Sequence, residues 1–551
     1  MNSLARKLSF ILFLLLLIGI TWMQSWVFIP TPTIHDTSII HEQVDTLGHN
    51  RYSLKSNFII KKQDKIWELY TEGTPFEIGY STGALSKSFL QEQEAIFAYR
   101  MVEHAPGKRP NLARFLSAYY NRHMDNRILP EYCEEMYGIS YHMNPKFNIL
   151  GSPYQRILNY HGIYDTQHAF EKMDVKVNSA FAINGAKTKD HDVLVGRNFD
   201  FFLHDQHRTD KIVHFVKPIE GYKFASVSWA GFIGAVSGMN ETGLTVTINT
   251  AESQIPFAAT MPMSLIAREI LQYAQTVEEA FNIAHTKEAY VNESILVSSA
   301  FDNTAIIIEK TPHGIDSIKM RNNELVCTSH LQTDELRKPM AYDPSYASYY
   351  RAIRIQELIN QKNEFTVEDI ASILRDTDGF EDQPIGLGNA KSINSLHLHH
   401  SIIFKPETRE MWLSTSHHGM EEFICYNLDS VFSNSQNYPP PTTLASNAKQ
   451  ISEAGPDHWE NYHNYKQFKG MSLQFRNWNS QLPPISQKAI DAFIALNPKG
   501  YNVYEIIGDY YIKAHQSKKA AEYYQKALEN EVATHQSRQF IKEKYELVMR
   551  D

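Results

Sequence analysis

Between Val177 and Phe201 the chain reads VNSAFAINGAKTKDHDVLVGRNFDF. Two apolar runs flank a polar turn, which predicts a β-hairpin whose second strand carries Gly-Arg-Asn-Phe-Asp. More short β-rich segments follow: KIVHFVKP, FASVSWAGFIGAVSGMN and LTVTINT, then ESILVSSA, TAIIIEKT and ELVCTSHL, then LHLHHSIIFKP and EMWLSTS. Long helix candidates intervene at PMSLIAREILQYAQTVEEAFNIAH and YASYYRAIRIQELIN. Strands, then helices, then strands, with few alternating βαβ units, predict an α+β fold with antiparallel sheets.

This texture begins at Val175. Residues 31–174 read differently: Thr31–Ser53 is polar and predicts a tether, and a strand-like run follows near Ile59–Tyr70. LSKSFLQEQEAIFAYRMVE and LARFLSAYYNRHM then place apolar residues at helical spacing. The segment is therefore expected to be mainly helical. Residues 175–434 make the β-rich domain. Beyond Asn434 a Pro-Pro-Pro and Ser/Asn-rich stretch reads as a linker, so 435–551 is a linker and a helical tail. In that tail Tyr504, Ile507, Gly508, Tyr511, Ala520, Tyr524 and Ala527 are spaced as in one tetratricopeptide repeat. One repeat cannot bury its own face, so it must pack on a neighbour.

At the N-terminus Arg6 and Lys7 precede Leu8–Ile29, interrupted only by Ser9, Gly19, Thr21, Gln24 and Ser25. About 20 apolar residues span a bilayer core, so residues 1–30 are expected to form an uncleaved anchor in the inner or plasma membrane. A cleaved signal peptide is the competing reading, but Thr-Trp-Met-Gln-Ser-Trp is a poor cleavage site. Positive charge on the short side would keep that end inside and the bulk extracytoplasmic. Elsewhere the composition is that of a folded protein, 43% hydrophobic and 12% aromatic. A net charge of −9 argues against nucleic acid. Cys133, Cys327 and Cys425 form no CxxC pair, which excludes a disulfide framework or thiolate zinc site. His397, His399 and His400, with His417 and His418, lack the spacing and acidic neighbours of a metal site, and alternation sends His397 and His399 away from His400. Gly386-Leu387-Gly388 has no following helix pattern to bind phosphate. No cofactor is expected.

The hairpin, together with SGMNETGLTVTIN, resembles the N-terminal nucleophile (Ntn) hydrolases of the choloylglycine hydrolase and isopenicillin-N acyltransferase superfamily, the acyltransferase-like branch above all. The resemblance covers roughly Tyr160–Asp429 and extends upstream to HGIYDTQHAF, similar to an Asp-x-x-His stretch ahead of the nucleophile. It implies a four-layer αββα sandwich between a helical N-terminal segment and a helical C-terminal tail. It also implies chemistry on an amide or acyl small molecule. In the family a cysteine freed by self-cleavage at Gly-Cys attacks an amide carbonyl, with its own α-amino group as base. An Arg and an Asp tune that amine toward neutrality, and Asn side chains stabilise the oxyanion.

Carried onto this chain, those roles fall on Arg197 and Asp200 for tuning, and on Asn249 as oxyanion donor. The later helix Arg falls on Arg351, with Arg354 the less favoured position. Two departures matter. The Gly-Cys pair falls on Val177-Asn178, and the Asn of a Thr-Asn-His motif falls on Ser329. An amide is no nucleophile, and Ser179, one residue on, should point away from the site because strand neighbours face opposite ways. The sequence thus supports two readings: a relative of amide hydrolases and acyltransferases with an impaired or lost nucleophile, or a non-catalytic descendant that binds a ligand in the old pocket or a protein through the repeat-like tail.

Overall fold

The computed structural model describes residues 29–550 and Phe10, Phe13 and Leu14, apart from 64–65, 123, 171–176, 202–209, 254–258, 338–345, 417 and 436–438. Two sheets dominate. The larger has eleven strands in the order β1 (Asp45–Gly48), β2 (Arg51–Leu54), β3 (Asn57–Gln63), β4 (Ile66–Gly73), β7 (Lys211–Pro218), β8 (Phe224–Ser228), β9 (Ser237–Asn240), β10 (Leu244–Thr250), β11 (Glu293–Ser299), β12 (Thr304–Thr311) and β13 (Gly314–Lys319). The smaller has seven: β14 (Glu324–Thr328), β5 (Ser179–Ile183), β6 (Leu194–Phe199), β15 (His400–Lys405), β16 (Glu410–Ser414), β17 (Phe423–Asn427) and β18 (Ser446–Ile451). Among these neighbours β4 and β7 run parallel. The central hairpin pairs as expected, with Ala180 opposite Arg197 and Ser179 opposite Asn198.

Strand periodicity sorts the core into layers. Ala180, Ala182, Val195, Cys327, Ile402 and Phe404 of the smaller sheet meet Val213, Phe215, Val227, Leu296 and Ile307 of the larger. The alternate residues Phe181, Ile183, Leu194 and Ile403 pack outward with Ile355 and Ile359 of the helix Ala347–Asn360 and Ile370 and Leu374 of Val367–Leu374. On the far side Val246, Ile248, Ile295 and Val297 meet Ile157 and Leu158 of the helix Pro153–Phe170 and Ile266 and Ile270 of Met263–Tyr273. Helix, sheet, sheet, helix makes the four-layer αββα Ntn-hydrolase sandwich, an α+β fold with a helical C-terminal region.

Several expectations need correction. Among the described residues no helix is long and apolar enough to cross a membrane, which overturns the N-terminal anchor and the inner- or plasma-membrane location drawn from it. Most of Leu8–Ile29 lies outside the described residues, but its last residue, Ile29, is only 5% exposed and packs in the main protein core. The stretch read as a tether carries β1 and β2, which extend the larger sheet, so the N-terminal segment is less purely helical than its periodicity suggested. The long helix expected near Pro262–His285 is two, Met263–Tyr273 and Val277–Thr286. The second opens on a capping box in which Thr276 accepts from the Glu279 N–H and Glu279 accepts from the Thr276 N–H.

Two close approaches fix how helices are placed. The helices Pro75–Leu85 and Pro130–Ser140 cross at glycines: a Cβ on Gly79 would stand 1.9 Å from the Glu135 carbonyl oxygen. Gly79→Ala is expected to cost about 3 kcal/mol or more, because backbone cannot move aside as a side chain can. Gly470→Ala, where an added Cβ meets nothing within 4 Å, should instead gain about 0.5–1 kcal/mol of helix propensity. Denaturation midpoints of the two variants check the contrast. In the tail, helices Tyr501–Lys513 and Ser517–Glu529 pack with Gly508 against the Tyr524 ring. The Gly386–Gly388 loop docks this tail onto the sandwich: the Leu387 N–H donates to Asn497 Oδ1 at 2.8 Å, and Lys391 pairs with Glu531 at 2.5 Å.

Candidate functional site

Asn178 stands immediately before β5, where the chain enters the sheet between β6 and β14. Its backbone N–H donates to Ser329 Oγ at 2.9 Å, just beyond the end of β14. Its side-chain Oδ1 accepts the Asp200 N–H, also at 2.9 Å, just beyond the end of β6. Three strand ends therefore meet at one buried point, because β14, β5 and β6 are neighbours in register.

Arg351 closes this point from the outer helical layer. Its guanidinium donates to the Val177 carbonyl, to Ser179 Oγ at 3.3 Å, to Asp200 Oδ2 at 2.9 Å and to the Ala390 carbonyl at 2.7 Å. Ser179 thus faces the helices, as strand alternation requires. Arg354, one turn further on the same helix, serves a different purpose: it holds Asp376, Asp382 and Glu357 in ion pairs.

Arg197 and Asp200 share a strand end but not a face. Three residues apart on a period of two, they point to opposite sides of the sheet. Arg197 lies between the sheets, donating to Asn249 Oδ1 and the Ile248 carbonyl, and so ties β6 to β10. Asp200 turns its carboxylate outward to Arg351, and Ser395 Oγ adds a contact at 3.3 Å. Burial pushes the Asp200 carboxyl above its ordinary range, and the Arg351 charge opposes that rise. Its other oxygen, Oδ1, is buried without a hydrogen-bond partner.

The Asn249 amide is also engaged at both ends. While Oδ1 accepts from Arg197, Nδ2 donates to Cys327 Sγ at 3.2 Å. Cys327 is fully buried, and burial raises its thiol well above the ordinary value, so it is held as a neutral thiol. Neither Ser395 nor Cys327 was among the residues expected here. Cys327 directly precedes the Thr328-Ser329-His330 motif, but nothing in the sequence says that its side chain meets Asn249 across the sandwich.

Upstream, the helix carrying HGIYDTQHAF presents two buried acceptors on one face. His161 Nε2 takes the Ile233 N–H at 3.0 Å, and burial lowers its pKa to about 4. Asp165 Oδ2 takes the Met263 N–H at 2.7 Å. The downstream histidines behave otherwise than alternation suggested: β15 begins only at His400, so His399 Nδ1 and His400 Nδ1 lie 2.8 Å apart. His397 contacts the Tyr465 hydroxyl of the tail. His417 lies outside the described residues, and among those described no group of three His, Cys, Asp or Glu side chains could hold a metal.

Sandwich and strand-end cluster together define an Ntn-hydrolase-type fold, with Asn178 at the head of β5. The model of the acyl-coenzyme A:6-aminopenicillanic acid acyl-transferase family matches residues 186–418. An uncharacterized protein of Archaeoglobus fulgidus is 26% identical over 230 residues, 39% of this chain and 38% of that protein. The chain thus spans well under half of that relative. Protein dcd1B of Dictyostelium discoideum is 24% identical over 409 residues, 68% of this chain and 76% of that protein. Among solved structures, an N-acylethanolamine-hydrolyzing acid amidase ortholog from Caenorhabditis elegans aligns over 42% of this chain and 93% of its own, with a TM-score of 0.31 and 13% identity. A conjugated bile acid hydrolase from Clostridium perfringens aligns over 49% and 99%, with a TM-score of 0.31 and 14% identity.

Proposed function

We infer that this chain is a relative of amide-bond hydrolases and acyltransferases that keeps the architecture of their catalytic centre and has lost the nucleophile. It binds an acyl or amide small molecule without turning it over efficiently. One observation carries the reading. Asn178, which the resemblance aligns with the nucleophile, has a backbone nitrogen that is an amide N–H donating to Ser329 Oγ. An amide nitrogen has no free lone pair to act as base, and a carboxamide side chain does not attack a carbonyl. Arg197, Asp200, Asn249, Ser329 and Arg351 are left to position and polarise. Ser179 is not a substitute, since it faces Arg351 in the helical layer.

The Val177–Asn178 peptide should stay uncut, because neither the Gly nor the Cys that such self-cleavage uses is present. Intact-mass measurement of the purified chain is expected to give one species. Two fragments near one third and two thirds of the full mass would overturn the reading and make Ser179 the nucleophile to examine.

A second role rests on the tail. The Gly508–Tyr524 contact is the small-against-aromatic packing of a helical pair such as a tetratricopeptide repeat, and this supports a protein-binding function beside the ligand pocket. A pull-down lost on deletion of residues 456–551, with ligand binding kept, would separate the two roles.

A further inference from the structure

Behind the candidate site, on the helical side of the larger sheet, sits a second polar cluster that the proposed function does not use. Glu293 opens β11 directly opposite Thr250, the last residue of β10, so both side chains emerge on the same face. Within electrostatic range of Glu293 is Asp165 of the helix Pro153–Phe170, whose Oδ2 takes the Met263 N–H. Tyr290 packs alongside: its hydroxyl lies 3.2 Å from the Gly162 carbonyl and within hydrogen-bonding reach of the Asp165 carboxyl, with its ring 6.3 Å from that of Tyr120.

The donors here do not balance. Glu293 Oε1 and Oε2, Thr250 Oγ1 and the Tyr120 hydroxyl are all buried without a hydrogen-bond partner. Glu293 and Thr250 are each 1% exposed, and Asp165 is fully buried. Two carboxylates in a dry interior cost far more than a folded chain can carry unless something neutralises them. Arg197, which donates to Asn249 and the Ile248 carbonyl, lies within electrostatic range of Glu293 and offsets part of that cost.

We propose that Asp165, Glu293 and Thr250 form a binding site for a hard, oxygen-seeking cation of the calcium type. The Glu293 carboxylate, the Thr250 hydroxyl beside it in register and the Asp165 carboxylate within electrostatic range offer oxygen ligands from two strands and one helix, and such cations take irregular sets of oxygen ligands. Bound there, the cation would lock the helix Pro153–Phe170 to the ends of β10 and β11, one residue from Asn249. The cluster contains no third acid and no His or Cys, which points away from zinc and toward calcium.

The test uses the full chain after treatment with a chelator. Adding Ca2+ is expected to raise Tm by several degrees. Tb3+ added in its place should luminesce on tyrosine excitation, since Tyr120 and Tyr290 flank the site, and Ca2+ should compete that emission away. Glu293→Gln should abolish both responses, and Thr250→Val should weaken binding without altering charge, which covers the case in which the first variant folds poorly. A Ca2+ response unchanged in Glu293→Gln would overturn the proposal. So would a wild-type chain indifferent to both ions whose stability falls as pH rises from about 4 to about 7. That profile would mean that protons neutralise the pair: burial pushes the Asp165 carboxyl up to about 7, so it would be protonated in both states at low pH and destabilising once ionised. The site stands apart from Asn178, so neither outcome bears on the proposed function.

Discussion

Asn178→Cys combined with Val177→Gly and Ser329→Asn is expected to give a chain that cuts itself before residue 178. The groups that would assist the cut are already in place. Arg351 donates to the Val177 carbonyl, the oxygen on which negative charge develops when a residue-178 thiol attacks. The Asp200 N–H, now bonded to Asn178 Oδ1, sits beside the new side chain. Once cut, residue 178 would own a free α-amino group, and the thiol and its base would come from one residue. The native chain should hydrolyse acyl-amides negligibly, because loss of a nucleophile commonly leaves only about 10³–10⁴-fold over water where millions are lost. Two bands on a denaturing gel, with amidase activity that appears only in the processed triple variant, are the expected results. Strong native amidase activity that survives Ser179→Ala would mean that the chemistry lies elsewhere.

Arg351→Met is expected to destabilise the chain by about 3–5 kcal/mol, the usual cost of removing one partner of a buried ion pair. Arg351 is fully buried and serves the Val177 and Ala390 carbonyls, Ser179 and Asp200. Its removal leaves the Asp200 carboxylate, one oxygen of which already lacks a partner, without its compensating charge. Arg351→Lys should recover little, since a single ammonium cannot reach the same set of acceptors that the planar fork does. Adding Asp200→Asn to Arg351→Met should restore part of the loss, a coupling that a double-mutant cycle measures. The pH dependence has a definite sign. Without the guanidinium the folded-state pKa of Asp200 rises further, so the variant's deficit should shrink as pH falls and the carboxyl protonates in both states. Urea midpoints across pH check this, and a loss below about 1 kcal/mol would show that the pair is not structural.

The pattern of what could be read in advance follows from the range of each signal. β5, β6, β10, β11 and β12 were legible because both faces of these strands are buried and their apolar runs end at turn residues. β1 and β2 escaped notice: DTLG and RYSL are short and largely polar, and β1, at the sheet edge, is mostly exposed. The break at Thr276 was readable in principle, since Thr-Val-Glu-Glu spells a capping box. The parallel pairing of β4 with β7 was not, because it joins segments separated by more than a hundred residues.

The sequence by itself raised the nucleophile question: the resemblance sets Asn178, a carboxamide, where the family carries a thiol, with Val177 and Ser329 as the accompanying departures. It also determined the hairpin and the position of Arg197, Asp200 and Arg351 along the chain. Only the tertiary structure decided how those residues are used. Arg197 and Asp200, neighbours in sequence, are drawn to opposite faces of β6, one to Asn249 between the sheets and the other to Arg351 in the helices. Cys327 reaches Asn249, and Glu293 comes within electrostatic range of Asp165, through pairings that no local pattern encodes. Local chemistry is carried by residue type and strand period, both short-range. Which charges meet, and which are left buried without a partner, depends on how two sheets and their helices are stacked, and that is settled only when the whole core closes.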